Sequence, residues 1–332
     1  MHKNKPFISI LTPTFNRSEF LPVLFQSLEQ QNFQDFEWIV ANDGSSDNTN
    51  ELIESLMPSS NFQITYINSS HRVGKSKMDN LLLDHAKGKY LCWCDSDDYF
   101  TKNAFEIIRE KLTALEMQND YDDYIGLFAI NKNTDAGLET FFRKDILEEG
   151  HYLWKEFENE VSGDGAIIAN AKLFEGKRFP EIDFLTIESV LLRDLYHEKK
   201  IVFMHDVLKI MDRTAENSIS HGNKMQYCRG SSYSIAHTVT EGRFKKLNLK
   251  SKVKTIMTYI RYSIHGDIRL IDQIKNWQVA RSNIGFFLII LPLSYLLTLR
   301  DLLLNKVEKT HLEFNQNIIK AEISHHSNNF KN

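Results

Sequence analysis

The order of short apolar runs and helical patterns in the first hundred residues constrains the fold more than any other feature of the sequence. β-rich apolar runs predict strands at residues 7–11, 36–41, 62–67 and 90–94. Amphipathic patterns between these runs predict helices at residues 19–30, 47–57 and 75–86. Because strands that alternate with helices form a mostly parallel sheet covered by helices, we expect an α/β fold.

Residues that favour helix starts precede two of the predicted helices. After residue 100 the alternation of strands and helices becomes less regular. Ser46 and Asp47 offer oxygen caps before the second helix, and Gly74 opens the third. Further helices are expected at residues 103–115 and 185–196, and further strands near residues 124–130 and 166–169. Beyond residue 220 the chain is expected to be mainly helical, and the polar residues from 309 onward are expected to fray.

Polar and acidic residues follow each of the four early strands. A parallel α/β sheet binds its ligand at the carboxyl ends of the strands, where these loops gather. The loops comprise residues 12–17, 42–47, 71–75 and 95–98. We therefore expect the functional site along this edge.

The sequence Asp95-Ser96-Asp97-Asp98 places three carboxylates directly after an apolar strand. Their mutual repulsion is costly unless a cation offsets it. Hard oxygen ligands favour Mg²⁺ or Mn²⁺, which also binds the diphosphate of a nucleotide. The alternative is that Ser96 and Asp98 only cap the next helix.

A second acidic loop, Asp43-Gly44-Ser45, follows the second apolar strand. Gly44 permits a tight turn that brings backbone N–H groups and the Asp43 carboxylate to a ligand. The imide N–H of a nucleobase is a suitable partner for Asp43. Taken alone, the motif equally fits a β-turn with a helix cap.

Five segments carry a resemblance to a known family. In chain order they read SILTPTFNR, IVANDGSSDNT, GKSKMDNLLLDHAKGKYLCWCDSDD, FPEIDFLTIESVLL and LKIMDRTAENSIS. Their order and spacing resemble the family-2 glycosyltransferases of the GT-A fold across residues 7–220. The resemblance implies a nucleotide-sugar donor, a divalent metal and inversion at the transferred sugar.

The resemblance also implies roles for individual residues. Thr12 and Pro13 would line the nucleoside and Asp43 would contact the base, while Asp95 and Asp97 would hold the metal and the ribose-diphosphate. The predicted donor pocket therefore comprises Thr12, Pro13, Asn16, Asp43, Lys75, Asp95, Ser96 and Asp97, and the predicted metal ligands are Asp95 and Asp97.

Lys75 enters this set because of a departure from the family pattern. Many members have Arg-Asn where this chain has Asp79-Asn80, so the cation that would face the diphosphate is missing there. A subset of the family has Gly-Lys at the start of this helix, which Gly74-Lys75 matches. Lys75 is the substitute cation we expect, and the alternative is a solvated lysine.

Glu188 is the predicted general base. In the predicted helix Glu188 lies three and four residues before Leu191 and Leu192, so it shares their inward face. The resemblance places Glu188 where the family has the group that takes the acceptor proton. The alternative is a glutamate that only stabilises the helix dipole. Asp164 also aligns with an acidic position and either orients the acceptor or stabilises a turn.

Composition limits the partners and the compartment. Forty basic and 44 acidic residues give a formal net charge of −4, so the protein as a whole lacks the positive charge that would attract nucleic acid. The three cysteines fit neither a disulfide framework nor a zinc site, which favours a reducing cytoplasm. The N-terminal MHKNKPFISI lacks the apolar core of a signal peptide, so we do not expect secretion.

The chain contains an uncharged run at residues 284–299, which Pro292 interrupts. Upstream, residues 243–261 are rich in Lys and Arg. Together they favour a helix that lies in the plane of the inner membrane leaflet, against anionic lipids. A helix packed on the catalytic lobe or on another subunit is the competing interpretation.

We therefore predict an inverting hexosyltransferase, cytoplasmic or peripheral at the inner membrane, that moves sugar from a UDP-sugar to a hydroxyl of a glycan or polyprenyl-linked glycan. The alternatives are a non-catalytic assembly subunit of the same fold and a metal-dependent nucleotidyltransferase. The expected division is a GT-A domain at residues 1–220, with halves meeting near residue 100, a basic helical extension at 221–280, a hydrophobic helix at 281–308 and a polar tail at 309–332.

Overall fold

The structure is a computed structural model that describes residues 5–134, 137, 140–142, 147–212, 214, 227–239, 241–277, 280–304 and 311–328. Its strands are β1 (Ile8–Thr14), β2 (Phe36–Asn42), β3 (Gln63–Ser69), β4 (Tyr90–Trp93), β5 (Asp98–Phe100), β6 (Tyr124–Asn133), β7 (Thr140–Phe142), β8 (Gly150–Leu153), β9 (Val161–Gly163), β10 (Gly165–Asn170), β11 (Lys200–Met211) and β12 (Ile323–Ser327).

The helices alternate with the early strands and dominate the last third of the described chain. They are α1 (Leu21–Glu29), α2 (Thr49–Leu56), α3 (Lys75–His85), α4 (Ala104–Glu116), α5 (Trp154–Glu160), α6 (Ser189–Tyr196), α7 (Cys228–Thr238), α8 (Glu241–Lys246), α9 (Leu249–His265), α10 (Leu270–Asn276), α11 (Ala280–Leu303) and α12 (His311–Lys320). The expected α/β class and the helical C-terminal region are confirmed.

A ten-stranded mixed sheet forms the centre of the protein, in the order β12-β3-β2-β1-β4-β10-β6-β11-β5, with β8 also paired to β11. Strands β3, β2, β1 and β4 run parallel, whereas β10 is antiparallel to both β4 and β6. Because β1, β2 and β4 are parallel neighbours, their carboxyl ends meet at one edge.

Alternating side chains of these strands face two helical layers. Ile8 and Ile10 of β1 pack with α1, α2 and α4 on one face, while Leu11 packs with α3 and α6 on the other. Near-continuous apolar runs such as β2 follow from burial on both faces. The two layers fix the sheet and so position the loops at its edge.

Two predicted helix starts are wrong in detail. The helix expected from residue 185 begins at Ser189, which makes Glu188 its first flanking residue. Before α2, Asp47 accepts the main-chain N–H of Thr49 at 3.1 Å, whereas the N–H of Ser46 donates to the side chain of Asn16. Ser46 therefore ties two loops together instead of capping the helix.

The polar tail is ordered where it is described, contrary to the expectation that it frays. Strand β12 pairs antiparallel with β3 and covers that edge of the sheet. Helix α12 buries Phe314, whose ring lies 5.1 Å from the ring of Phe184. All five residues of β12 are exposed, so backbone pairing holds it in place.

Helices α7 to α11 form a separate apolar cluster around Trp277, Tyr259 and Phe287. The α9 and α11 helices pack side by side, and a buried Asp301 joins them by accepting from Nε of Arg261 at 2.8 Å. This cluster corresponds to the predicted helical extension.

Candidate active site

The first two loops at the carboxyl edge are bound to each other. Asn16 has a left-handed backbone with φ of 53°, which turns the chain back after β1. Its N–H donates to Oγ of Ser45 at 2.8 Å, and its Oδ1 accepts the N–H of Ser46 at 2.8 Å. The N–H and the hydroxyl of Ser18 both donate to Oδ2 of Asp47. The loops after β1 and β2 therefore form one unit.

Asp43 organises the loop before α3. Its Oδ1 accepts the N–H of Val73 at 2.6 Å and of Gly74 at 2.9 Å, and its Oδ2 lies 3.8 Å from Nε of Arg72. Burial raises the pKa of Asp43 to about 6, although these N–H groups and Arg72 favour the charged form. Both oxygens of Asp43 thus accept main-chain N–H groups, because Oδ2 also accepts the N–H of Gly74 at 3.1 Å, and Oδ2 in addition faces the Arg72 cation.

Arg72 lies between two aromatic rings beside Asp43. The carbon of its guanidinium is 4.6 Å from the ring centre of Phe15 and 5.1 Å from that of Phe184. These cation–π contacts hold the cation over the loop after β1. Arg72 was not singled out from the sequence, where only its place in a strand-end loop marks it.

The acidic turn joins β4 to β5. Asp95 is exposed, Ser96 is buried and Asp97 is partly exposed, with Oδ2 of Asp97 3.7 Å from Nε of the buried Arg17. Asp98 begins β5 and pairs with Lys209, so it does not cap the following helix. The turn therefore presents the carboxylates of Asp95 and Asp97 beside the loop after β1.

Lys75 lies between Asp79 and Glu188. Its Nζ is 3.1 Å from Oδ2 of Asp79 and 2.6 Å from Oε1 of Glu188. The indole N–H of Trp93 donates to the other oxygen of Asp79 at 3.1 Å. This network joins α3, the end of β4 and the start of α6. Lys75 is therefore not a solvated lysine.

The charges of this network are strongly coupled. Burial lowers the pKa of Lys75, but Asp79, Glu188 and Asp95 outweigh burial and raise it well above its ordinary value. Burial raises the pKa of Glu188, but attraction to Lys75 and their hydrogen bond outweigh burial and hold it below its ordinary value. At neutral pH the pair is an ammonium and a carboxylate. The Asp95 carboxylate thus stabilises the charge of the same ammonium that Glu188 contacts.

The other predicted residues take different positions. Thr12 is fully buried and its hydroxyl accepts the indole N–H of Trp38 at 2.9 Å, so its side chain supports the strand end from below and does not line the edge. Pro13 is partly exposed. Asp164 is exposed in the turn between β9 and β10.

Asp183, near the start of α6, is buried, and its two oxygens accept the N–H groups of Phe184 and Gly230 at 2.9 and 3.3 Å. Burial raises its pKa against these hydrogen bonds. This carboxylate fixes the chain before α6 to the start of α7. Part of the last resembling segment, at residues 213 and 215–220, lies outside the described residues.

Asp95 and Asp97 fit a hard divalent cation. Among the residues that the structure describes, no group of three or more His, Cys, Asp or Glu side chains is arranged to hold a metal ion. Two carboxylates on one accessible turn are the kind of site at which Mg²⁺ or Mn²⁺ takes its remaining ligands from water and a phosphate. Nε of Arg17 lies 3.7 Å from Asp97 and adds a positive charge beside this carboxylate.

Comparisons with known proteins agree with this fold. Residues 9–135 match the family model described as Glycosyl transferase family 2. The chain is 26% identical over 262 residues to a GalNAc(5)-diNAcBac-PP-undecaprenol beta-1,3-glucosyltransferase of Campylobacter jejuni, covering 78% of this chain and 82% of that protein. It is 24% identical over 217 residues to Glycosyltransferase GlyG of Streptococcus pneumoniae, covering 62% and 70%.

Among solved structures, the chain resembles S. aureus TarS 1-349 in complex with UDP-GlcNAc, with a TM-score of 0.52 and 18% identity over 86% of this chain and 81% of that one. At this identity the likeness establishes the fold alone. The central sheet is that of the GT-A fold. Residues 9–135 match the glycosyl transferase family 2 domain, which begins at β1.

Proposed function

We propose that this glycosyltransferase moves a hexosyl group, with inversion, from a UDP-sugar to a hydroxyl of a glycan or lipid-linked glycan. The observation that carries the proposal is the 2.6 Å contact of Lys75 with Glu188, made by an ammonium whose pKa the Asp95 carboxylate also raises. It brings the residue expected to act on the acceptor close to those expected to hold the donor. The bound UDP-GlcNAc of the TarS structure and the lipid-linked acceptor in the Campylobacter relative's name support the choice of substrates.

On this proposal the loop after β1 and Asp43 form the nucleoside end of the donor site. The partly exposed ring of Pro13 supplies an apolar wall, and Asn16 fixes that wall to the second loop. Oδ2 of Asp43 is the oxygen offered to the nucleobase, since it accepts only the N–H of Gly74 at 3.1 Å, whereas Oδ1 accepts two shorter hydrogen bonds. Burial of Asp43 strengthens such a hydrogen bond by excluding water.

Asp95 and Asp97 would hold Mn²⁺ or Mg²⁺ together with the donor diphosphate, with the buried Ser96 between them. The metal would supply positive charge to the diphosphate as it leaves. Arg17, beside Asp97, and Lys75 add fixed cations around the same turn. Such preorganised charges stabilise a developing anion without reorganisation during the reaction.

Glu188 is the proposed general base. Lys75 engages Oε1, and the Glu188 side chain keeps 36% of its surface exposed, so an acceptor hydroxyl can reach the carboxylate. The lowered pKa keeps Glu188 ionised and ready to accept a proton. This arrangement argues against a non-catalytic assembly subunit, which has no use for a partly buried Lys75 that contacts both Asp79 and Glu188.

We also propose that α11 attaches the protein to the membrane. The segment Ile284–Leu303 is long and apolar enough to cross a bilayer by length and composition. Its buried face carries Ser294, Thr298 and Asp301, whereas the exposed face is aliphatic. The exposed apolar side chains are Ile284, Leu288, Ile289, Leu293, Tyr295, Leu296, Leu299, Leu302 and Leu303. Phe287 and Ile290 are buried beside the polar residues, but the outer face is far more apolar than the outer face of a helix in water.

The buried polar residues of α11 determine which side of the helix can contact lipid. Asp301 is fully buried and lies 2.5 Å from Nη2 of Arg261, which ties the C-terminal part of α11 to α9. A helix held on one side in this way presents only its outer face to the bilayer, as an in-plane anchor does. The exposed lysines of the basic stretch favour anionic lipids of the inner leaflet. The division into a GT-A domain and a basic, membrane-facing extension forms part of this proposal.

Nucleotide binding tests the proposed function directly. Asp97→Asn keeps the volume of the side chain but removes its charge, so calorimetry should show metal-dependent UDP binding in the wild-type protein and none in the variant. An unchanged affinity would contradict the assigned site. Screening several nucleotide sugars for metal-dependent hydrolysis would then identify the donor.

A further inference from the structure

Lys209 is a buried charge that the proposed chemistry leaves without a task. It lies in β11, and the whole residue is 6% exposed. Its Nζ is 3.3 Å from Oδ2 of Asp98 and 3.3 Å from the main-chain oxygen of Trp93. Burying an ammonium and a carboxylate costs several kcal/mol per ion, which their attraction repays only in part. A buried pair of this kind is weak evidence for stability, so its position calls for another explanation.

The two groups that Lys209 contacts are the two ends of the acidic turn. Trp93 is the last residue of β4 and Asp98 is the first residue of β5, so the turn between them is the segment that carries Asp95 and Asp97. A single ammonium therefore holds both ends of this turn.

Backbone contacts bind the same turn to β11. Asp98 pairs with Met211, and the N–H of Asp212 donates to the carbonyl of Asp97 at 3.3 Å. Within the turn, the N–H of Asp98 donates to the carbonyl of Asp95 at 3.0 Å. The Asp95 carboxylate is also attracted by Lys209. Lys209 thus supplies the positive charge beneath a turn whose carboxylates repel one another.

We propose that Lys209 is a positioning residue that fixes the acidic turn so that Asp95 and Asp97 face the donor diphosphate. The inference rests on the proposed function, because it concerns the same donor site. Lys209 acts from below the turn through Trp93 and Asp98, and it is distinct from the cations Arg17 and Lys75 at the open edge.

The test separates positioning from simple stability. Lys209→Met alone leaves the charge of Asp98 buried and unpaired, which destabilises the protein for a trivial reason. The double variant Lys209→Met/Asp98→Leu removes both charges and fills the space with apolar atoms. Lys200→Met is the matched control, because Lys200 begins the same strand and pairs with Asp120 at 2.6 Å on the partly exposed side of the protein.

Two measurements on each variant decide the question, after the melting temperature has established that it folds. Calorimetry with UDP and Mn²⁺ should show an affinity about 10- to 100-fold weaker for the double variant, the usual effect of losing a group that orients metal ligands. Hydrogen exchange should be faster in the amides of residues 94–98. The control should match the wild type in both.

The outcomes distinguish the inference from the proposed function. Wild-type affinity, or unchanged exchange in the turn, in a folded double variant would overturn the positioning role. If the wild-type protein itself binds no UDP with Mn²⁺, the proposed donor site fails, while hydrogen exchange still decides whether Lys209 holds the turn.

Discussion

Nζ of Lys75 lies 2.6 Å from Oε1 of Glu188, which joins the first residue of α3 to the residue that precedes α6. The same ammonium is 3.1 Å from Asp79. The resemblance leads one to expect an Arg-Asn pair where this chain has Asp79-Asn80, and Lys75, one turn earlier, pairs with Asp79. Lys75 thus supplies a positive charge near the position where the arginine is missing. The same ammonium also contacts Glu188, the proposed base.

The first prediction concerns Glu188→Gln. The amide retains the shape and hydrogen bonding of the carboxylate but cannot accept a proton. Turnover to acceptor should fall by about 10²- to 10⁴-fold, the usual contribution of positioned proton transfer. UDP affinity should hardly change, because the proposed contacts of Glu188 are with the acceptor. Kinetics and the melting temperature should be measured on one preparation.

A structural Glu188 would give the opposite result, namely a lower melting temperature with near-normal turnover of the folded fraction. The base role would then pass to Asp164, which is exposed. Asp183 is a poor substitute, because both of its oxygens already accept main-chain N–H groups. An Asp164→Asn variant measured beside Glu188→Gln makes the comparison complete.

The second prediction concerns the pH dependence of turnover in Lys75→Met. Lys75 holds the pKa of Glu188 below its ordinary value, and the carboxylate is the active form. Below the pKa the base is protonated and turnover is lost. Removing the cation while burial remains raises the pKa, so the acidic limb of kcat against pH should move to higher pH.

Lys77→Met provides the control for the pH profile. Lys77 is on the same helix and lies 3.7 Å from Glu181, but its side chain is 34% exposed and it does not contact Glu188. Its acidic limb should stay in place. An unshifted profile in Lys75→Met would show that Lys75 does not tune the residue whose ionisation limits the rate.

The sequence predicted the strands of the donor half because their burial on both faces leaves continuous apolar runs, as in β2. It also located the acidic turn, since a strand end is visible locally. It did not reveal the Lys75–Glu188 pair, because contacts between distant segments leave no periodic signal. Strand β12 was missed because all of its residues are exposed, so it has no apolar run, and it is held mainly by backbone pairing with β3.

The third prediction concerns Asn328, which anchors the tail to the sheet. Its Oδ1 accepts the N–H of Ile64 at 2.9 Å, and its Nδ2 donates to Ser60 and Phe62 at 2.9 and 3.0 Å. Asn328→Ala leaves these partners unpaired and should lower the free energy of unfolding by about 1–3 kcal/mol. Denaturant titration measures this loss. Ser324→Ala, on the exposed β12, should have little effect, and equal losses would contradict the anchoring role.

The last prediction concerns the outer face of α11. Deleting the chain after Trp277 is a poor test of membrane binding, because it also removes α12 and β12, which complete the catalytic sheet. Substitutions on the exposed face avoid this problem. Leu288 and Leu296 are 47% and 62% exposed, so Leu288→Glu/Leu296→Glu should leave the packing against α9 intact.

In lipid, each lost leucine removes about 1.5–3 kcal/mol of burial, and the added charges are repelled by anionic headgroups. Flotation with liposomes that contain anionic lipid should therefore show binding by the wild-type protein and not by the double variant, with donor hydrolysis unchanged in both. Met117→Glu is the matched control, because Met117 is 78% exposed at the end of α4 in the catalytic lobe. Continued flotation of the α11 variant would place the lipid contact elsewhere. If the wild-type protein does not float and the variant changes from an oligomer to a monomer, the aliphatic face of α11 binds a second copy of the chain.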